Sequence, residues 1–131
     1  MEDSIFTKII NGDIPAHTIY EDDKTIAFLD ISPVRLGHTL VVPKKQVDQY
    51  IDLPDEDYDA LWRTVKTVAA RLREVLNTDK VGLKIVGVDV AHTHVHLIPF
   101  MMSGGEQLLP DDQSPEVTDS ELAVLAASLK Q

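Results

Sequence analysis

His92-Thr93-His94-Val95-His96-Leu97-Ile98 carries three of the chain's five histidines at strict alternation. Side chains of an extended strand alternate between its two faces, so the three imidazoles share one face while Thr93, Val95 and Leu97 take the other. The stretch lies inside a longer β-type run from Val90 to Phe100. A strand is predicted there, held to the core by its apolar face, with its histidines looking outward.

Outward from this strand, the pattern of elements is regular. Val81 to Val86 is a second β-type run, joined to the first by a tight turn at Gly87-Val88-Asp89. Before it, from about Pro54 to Leu76, Tyr58, Leu61, Trp62, Val65, Val68, Ala69, Leu72 and Leu76 recur at spacings of three and four, which predicts one long amphipathic helix. Asp55, Glu56 and Asp57 in its first turn and Arg71 and Arg73 near its end suit the helix dipole. Upstream, His38 to Val42 is a third strand, ended by Pro43 because proline donates nothing to a ladder. Thr18 to Glu21 and Thr25 to Asp30 form a hairpin around the turn residues Asp22-Asp23-Lys24. Ser4 caps a short helix over Ile5 to Ile10, with Gly12 as its stop. Downstream, Met101 to Val117 carries little periodicity and reads as an irregular connection. Thr118 with Glu121 makes a capping box for a last helix, whose apolar residues are Leu122, Val124, Leu125, Ala126 and Leu129. The expectation is a single α+β domain over residues 1–131, its core at about 4–100 and a C-terminal extension at 101–131. It combines an about five-stranded antiparallel sheet, one long helix, and a short helix near each end.

Composition narrows the function classes. A chain of 131 residues, 44% hydrophobic, can bury a core. It holds no cysteine, which removes disulfides, thiolate metal sites and cysteine nucleophiles. A net charge of −10 disfavours a nucleic-acid partner. With no basic, apolar leader and no run of membrane-spanning length, a cytoplasmic protein without a membrane partner is expected.

Three chemistries suit a row of imidazoles. The side chains can be structural; they can ligate a metal, with Asp89 as the nearby carboxylate; or one can attack phosphorus. A histidine nucleophile needs one nitrogen unprotonated and the other held by an acceptor, and neighbouring imidazoles can orient it and donate to the leaving group.

The stretch also resembles the His-x-His-x-His-x-x signature of the histidine-triad (HIT) superfamily, in its nucleoside phosphoramidase and bacterial HIT-like branch. Ile5 to Ala16 is similar to that family's opening, and Ala27 to Pro33 and Gly37 to Lys44 match its next two blocks in order, so the likeness spans roughly residues 4 to 100. The resemblance implies a HIT-like fold, paired into a homodimer through the long helix and adjoining strand. It implies a purine nucleotide or nucleotide conjugate as ligand, either a phosphoramidate or a dinucleoside polyphosphate. Hydrolysis or transfer at the α-phosphorus would pass through a nucleotidyl-histidine, with no metal or other cofactor. His94 then matches the nucleophile, with His92 and His96 as supporting members, and Asp30 the acid that binds ribose hydroxyls. Phe6, Ile9, Ile31 and Leu40 match the apolar lining of the base pocket, and His38 a histidine behind the triad.

Two departures from the pattern stand out. Where many bacterial members hold a structural zinc with two cysteines, a histidine and a triad-region histidine, this chain has Ser4, Thr7 and Gln46. Where the family has a Gly-Gln-Ser/Thr run that contacts phosphate, this chain reads Gly87-Val88-Asp89-Val90-Ala91 with a shortened turn. Asp89 at a phosphate-contacting position would repel phosphate when ionised and could orient an imidazole when protonated. The rival readings are a nucleotide-binding regulatory module with little catalysis and a metal-binding histidine face.

Overall fold

In the computed structural model, which describes residues 2–102 and 116–130, five strands form one antiparallel sheet. They are β1 (Thr18–Glu21), β2 (Thr25–Leu29), β3 (Thr39–Pro43), β4 (Lys80–Lys84) and β5 (Val95–Phe100), laid side by side in the order β1-β2-β3-β5-β4. The β1–β2 turn forms because the Asp22 carboxylate accepts the backbone N–H groups of Lys24 and Thr25, a local bond that short acidic side chains make readily. The long helix α2 (Asp55–Leu76) carries the chain from β3 to β4 and ends at Asn77, whose left-handed backbone stops it.

Strand alternation divides the apolar side chains between two faces. Ala27, Leu29, Val41, Val95 and Leu97 pack with Leu61, Val65, Val68 and Leu72 of α2 in the larger core. The helix α3 (Asp119–Leu129), started by the Thr118–Glu121 capping box, adds Leu122, Ala126 and Leu129 to the same core. On the opposite face Ile26, Phe28, Leu40 and Val42 pack with Phe6 of the short helix α1 (Ile5–Ile10). Gly37, at φ +92°, leads the chain into β3 where a Cβ would run into the Leu76 side chain and crowd Pro99.

Element types follow the sequence expectation, and several bounds do not. The strand expected over Val90 to Phe100 begins only at Val95, because β3 ends at Pro43 and the ladder has no donor beyond it. Thr93 bonds instead to the Val47 carbonyl, through both its N–H (2.7 Å) and its hydroxyl (2.7 Å). The expectation that the histidines look outward fails for His92 and His94: Phe6 of α1 lies against both rings, and they are 0% and 6% exposed. Asp30 and His38 flank β2 and β3 rather than lying in them, and β4 is Lys80–Lys84 rather than Val81 to Val86. Val124 points to solvent. In α3, Leu129 is fully buried in the larger core. Most of the connection expected at Met101 to Val117 lies outside the described residues. Among those described, no helix is long and apolar enough to cross a membrane.

If α3 is part of the core, Leu129→Ala should lower unfolding free energy by about 2–5 kcal/mol, the usual range for a buried leucine truncation. Urea titration checks this, and a loss below about 1 kcal/mol would make α3 peripheral.

Candidate active site

The approach to β5 is built from side chains that lock one another. His92 Nε2–H donates to the Pro43 carbonyl (2.7 Å), an acceptor only. In a neutral ring this makes Nδ1 an acceptor, and the Ser4 hydroxyl donates to it at 2.7 Å. Ser4 is also the N-cap of α1, its oxygen accepting the Thr7 N–H. Gln46 Oε1 accepts from the Ser4 backbone N–H (2.8 Å) and the Thr7 hydroxyl (2.7 Å). Ser4, Thr7, Gln46 and His92 thus converge in one cluster that fastens α1 over the histidines. Burial holds His92 below the ordinary histidine range, against the opposing pull of its bond to Pro43.

His94 uses the backbone this cluster holds. Its Nδ1–H donates to the His92 carbonyl at 2.8 Å, which in a neutral ring makes Nε2 the lone-pair nitrogen. Phe6 of α1 lies against it, ring centroids 4.8 Å apart, and His96 meets it edge-on at 5.1 Å.

A second chain of bonds sets His96. The Val34 N–H donates to His38 Nδ1 (3.1 Å), so His38 carries its proton on Nε2. That N–H donates to His96 Nδ1 at 3.0 Å, which leaves His96 with its own proton on Nε2. His94 and His96 are therefore left with opposite capacities, an acceptor nitrogen beside a donor. Burial, then the Lys84 ammonium, lowers His38 to about 4. Burial, then His38, His94 and Lys84, lowers His96 to about 4 against the pull of Asp30. Both are neutral near pH 7.

Asp30 stands at the same end of the site, with one carboxylate oxygen 3.7 Å from His38 Nε2 and the other accepting the Ser32 N–H (2.8 Å). Phe6 and Leu40 share one buried apolar cluster with Ile9 against it, whereas Ile31, 72% exposed, stands outside it. Asp89 and Val88 lie in an exposed bend, Val88 at 82% exposure. Lys84, which pattern reading passed over, lies directly opposite His96 in the β4–β5 ladder. Its signal was the polar phase of Lys80, Gly82 and Lys84 against the apolar Val81 and Leu83, which gains meaning only once the register is known.

The metal reading fares poorly on this geometry. One ligand atom each from Asp30, His38 and His96 lies within 4.8 Å of the others. Yet His38 and His96 spend those nitrogens on each other, and both nitrogens of His92 are bonded within the protein. The row does not present three free imidazole ligands.

Comparison with known proteins gives the same answer as the fold. A HIT-like protein of Methanocaldococcus jannaschii is 41% identical over 106 residues, covering 78% of this chain and 82% of that one. The purine nucleoside phosphoramidase of Escherichia coli is 36% identical over 120 residues, 83% of this chain and 92% of its own. The crystal structure of a HIT-like protein from Bartonella henselae superimposes with a TM-score of 0.84 at 28% identity, covering 98% of this chain and 94% of that one. The HIT domain family model matches residues 11–101, and with the sheet order and the three histidines in place the chain belongs to the HIT (histidine-triad) family.

Proposed function

We propose that this chain binds purine nucleotide conjugates and cleaves them at the α-phosphorus through a nucleotidyl-His94 intermediate. The observation that carries the reading is the pairing of tautomers: His94 holds a lone pair on Nε2 while His96 beside it holds an N–H. In the first step the His94 Nε2 lone pair forms a bond to phosphorus as the bond to the leaving group breaks, its electron pair departing with that group. An oxyanion leaves as such, and an amine takes a proton from water. The ring becomes cationic with Nδ1–H retained, and the His92 carbonyl stabilises that charge. His96 Nε2–H donates to the phosphoryl oxygen, which gathers negative charge. In the second step water attacks phosphorus, the P–N bond returns its pair to His94 Nε2, and the water's proton goes to solvent, releasing the nucleoside monophosphate.

His92 acts through its carbonyl and its place beneath α1, as a positioning residue rather than one that touches substrate. Asp30 suits the ribose hydroxyls, and Phe6, Ile9 and Leu40 suit one side of a purine, with exposed Ile31 the surface a base would cover. The activity of the Escherichia coli relative supports a phosphoramidate or related conjugate as substrate. Exposed Val88 and Asp89, in place of polar phosphate contacts, favour slow turnover as the alternative outcome. We also infer that two copies pair across β4 and α2, since β4 is an edge strand with Leu83 exposed beside it.

Three measurements test these readings. Adenosine 5′-phosphoramidate should turn over in the presence of chelator and give an adenylylated chain by intact mass, and His94→Ala should lose at least about 10³-fold of the rate. Nucleotide binding without turnover would make the chain a binding module instead. Ring NMR should find both His38 and His96 neutral at pH 6 with the proton on Nε2, titrating near 4. Their folded values lie below the unfolded one, so this contribution to stability is present above about pH 6.5 and is lost as pH falls toward 4. A midpoint near 6.5 in the folded protein would break the relay. Light scattering at tens of micromolar should give twice 14.6 kDa, and a single-chain mass would overturn the pairing.

A further inference from the structure

Lys84 and His96 are direct partners in the β4–β5 ladder, and directly opposed residues of an antiparallel pair project their side chains to the same face. On that face β3 contributes Leu40, the partner of His96 on its other side, and β2 contributes Phe28, the partner of Leu40. Across the sheet the order is therefore apolar Phe28 and Leu40, then His96, then Lys84. Asp30 follows β2 and His38 precedes β3, so the acid suited to ribose and the apolar wall both lie on the β2–β3 side of His96. A nucleotide with its base and ribose on that side and its α-phosphorus at His94 and His96 directs whatever lies beyond phosphorus toward β4.

The Lys84 side chain is half-buried, and among the described residues no carboxylate lies within ion-pair distance of its ammonium. Lys24, Lys44 and Lys45, by contrast, pair with Glu56 and Asp57, with Glu21, and with Asp57. A half-buried ammonium without a counter-ion has given up part of its hydration, and an anion placed against it restores the loss. Burial is the main cause that keeps His38 and His96 neutral, and the Lys84 charge adds to it in the same direction.

We propose that Lys84 binds the negative charge of the group beyond the α-phosphorus, so that the site prefers conjugates with an anionic leaving group, such as a polyphosphate chain, over those with an uncharged amine. This deepens the proposed function and rests on its placement of base and phosphorus. Lys84 is a binding residue for the leaving group, and its charge distinguishes the two substrate classes.

The test compares kcat/KM for diadenosine tetraphosphate and for adenosine 5′-phosphoramidate in wild type, Lys84→Gln and Lys84→Arg. Lys84→Gln should lower the ratio of the two by about 10- to 100-fold, the range of a lost charge-assisted bond, and Lys84→Arg should keep most of it. A proportional fall on both substrates would place Lys84 at the α-phosphate and overturn the assignment, as would an unchanged ratio. The binding of ADP and AMP to the His94→Ala protein separates this proposal from the catalytic one. A preference for ADP that disappears when Lys84→Gln is added supports the anion site even if wild type turns over neither substrate, and a preference that survives removes it.

Discussion

The bond from His94 Nδ1–H to the carbonyl of His92 is the constraint on which the site depends. A free imidazole exchanges its proton between two nitrogens, and as a nucleophile it is useful only in the tautomer that faces phosphorus with a lone pair. A backbone carbonyl can only accept, so it selects that tautomer without a titratable partner of its own. The carbonyl must itself be fixed, and here its own residue is fastened on both ring nitrogens, to Pro43 behind it and to Ser4 at the cap of α1. Stability of a short helix and orientation of the His94 ring are thereby the same set of bonds. A six-residue helix has little intrinsic stability, so its place over the site rests on Phe6 in the apolar cluster and on the Ser4–Thr7–Gln46 bonds.

The electrostatics follow from that rigidity. A chain of net charge −10 has no long-range attraction to offer a phosphorylated ligand, so affinity must come from donors at short range. Burial keeps His38 and His96 neutral, and a neutral ring with one nitrogen accepting has only one direction in which to donate. The donation begins at a backbone N–H of Val34 and ends at His96 Nε2, with each ring passing the constraint to the next. Cooperative chains of this kind strengthen in a low-dielectric setting, which is where a developing phosphoryl charge benefits most.

Much of this was legible in the sequence because it depends on local rules. The cap at Ser4, the hairpin turn at Asp22 and the capping box at Thr118 all formed where their side chains can bond their own backbone, and the spacing of the histidines brought His94 against His96 although only His96 lies in β5. What escaped was non-local. Whether His92 and His94 sit inside a ladder depends on Pro43, 49 residues before His92, and their burial depends on a helix at the other end of the chain. Lys84 gained a role only from its register against His96, which no spacing within β4 reveals. The Ser4, Thr7 and Gln46 positions were recognised as departures from a zinc-binding pattern, but that they would meet as one hydrogen-bonded cluster with His92 is a fact of three dimensions.

The Ser4–Thr7–Gln46–His92 cluster fixes its histidine through hydrogen bonds. The hydroxyls of Ser4 and Thr7 and the amide of Gln46 can each donate or accept in a defined direction. What the site requires there is a fixed His92 ring and a fixed His92 carbonyl. Directional bonds among Ser4, Thr7, Gln46 and His92 meet that requirement. The dependence is also directional, because removing Gln46 takes the acceptor from both the Ser4 N–H and the Thr7 hydroxyl. A substitution at Gln46, which touches neither histidine row nor substrate, is therefore expected to reach His94 through α1 and the His92 carbonyl, and not through the sheet.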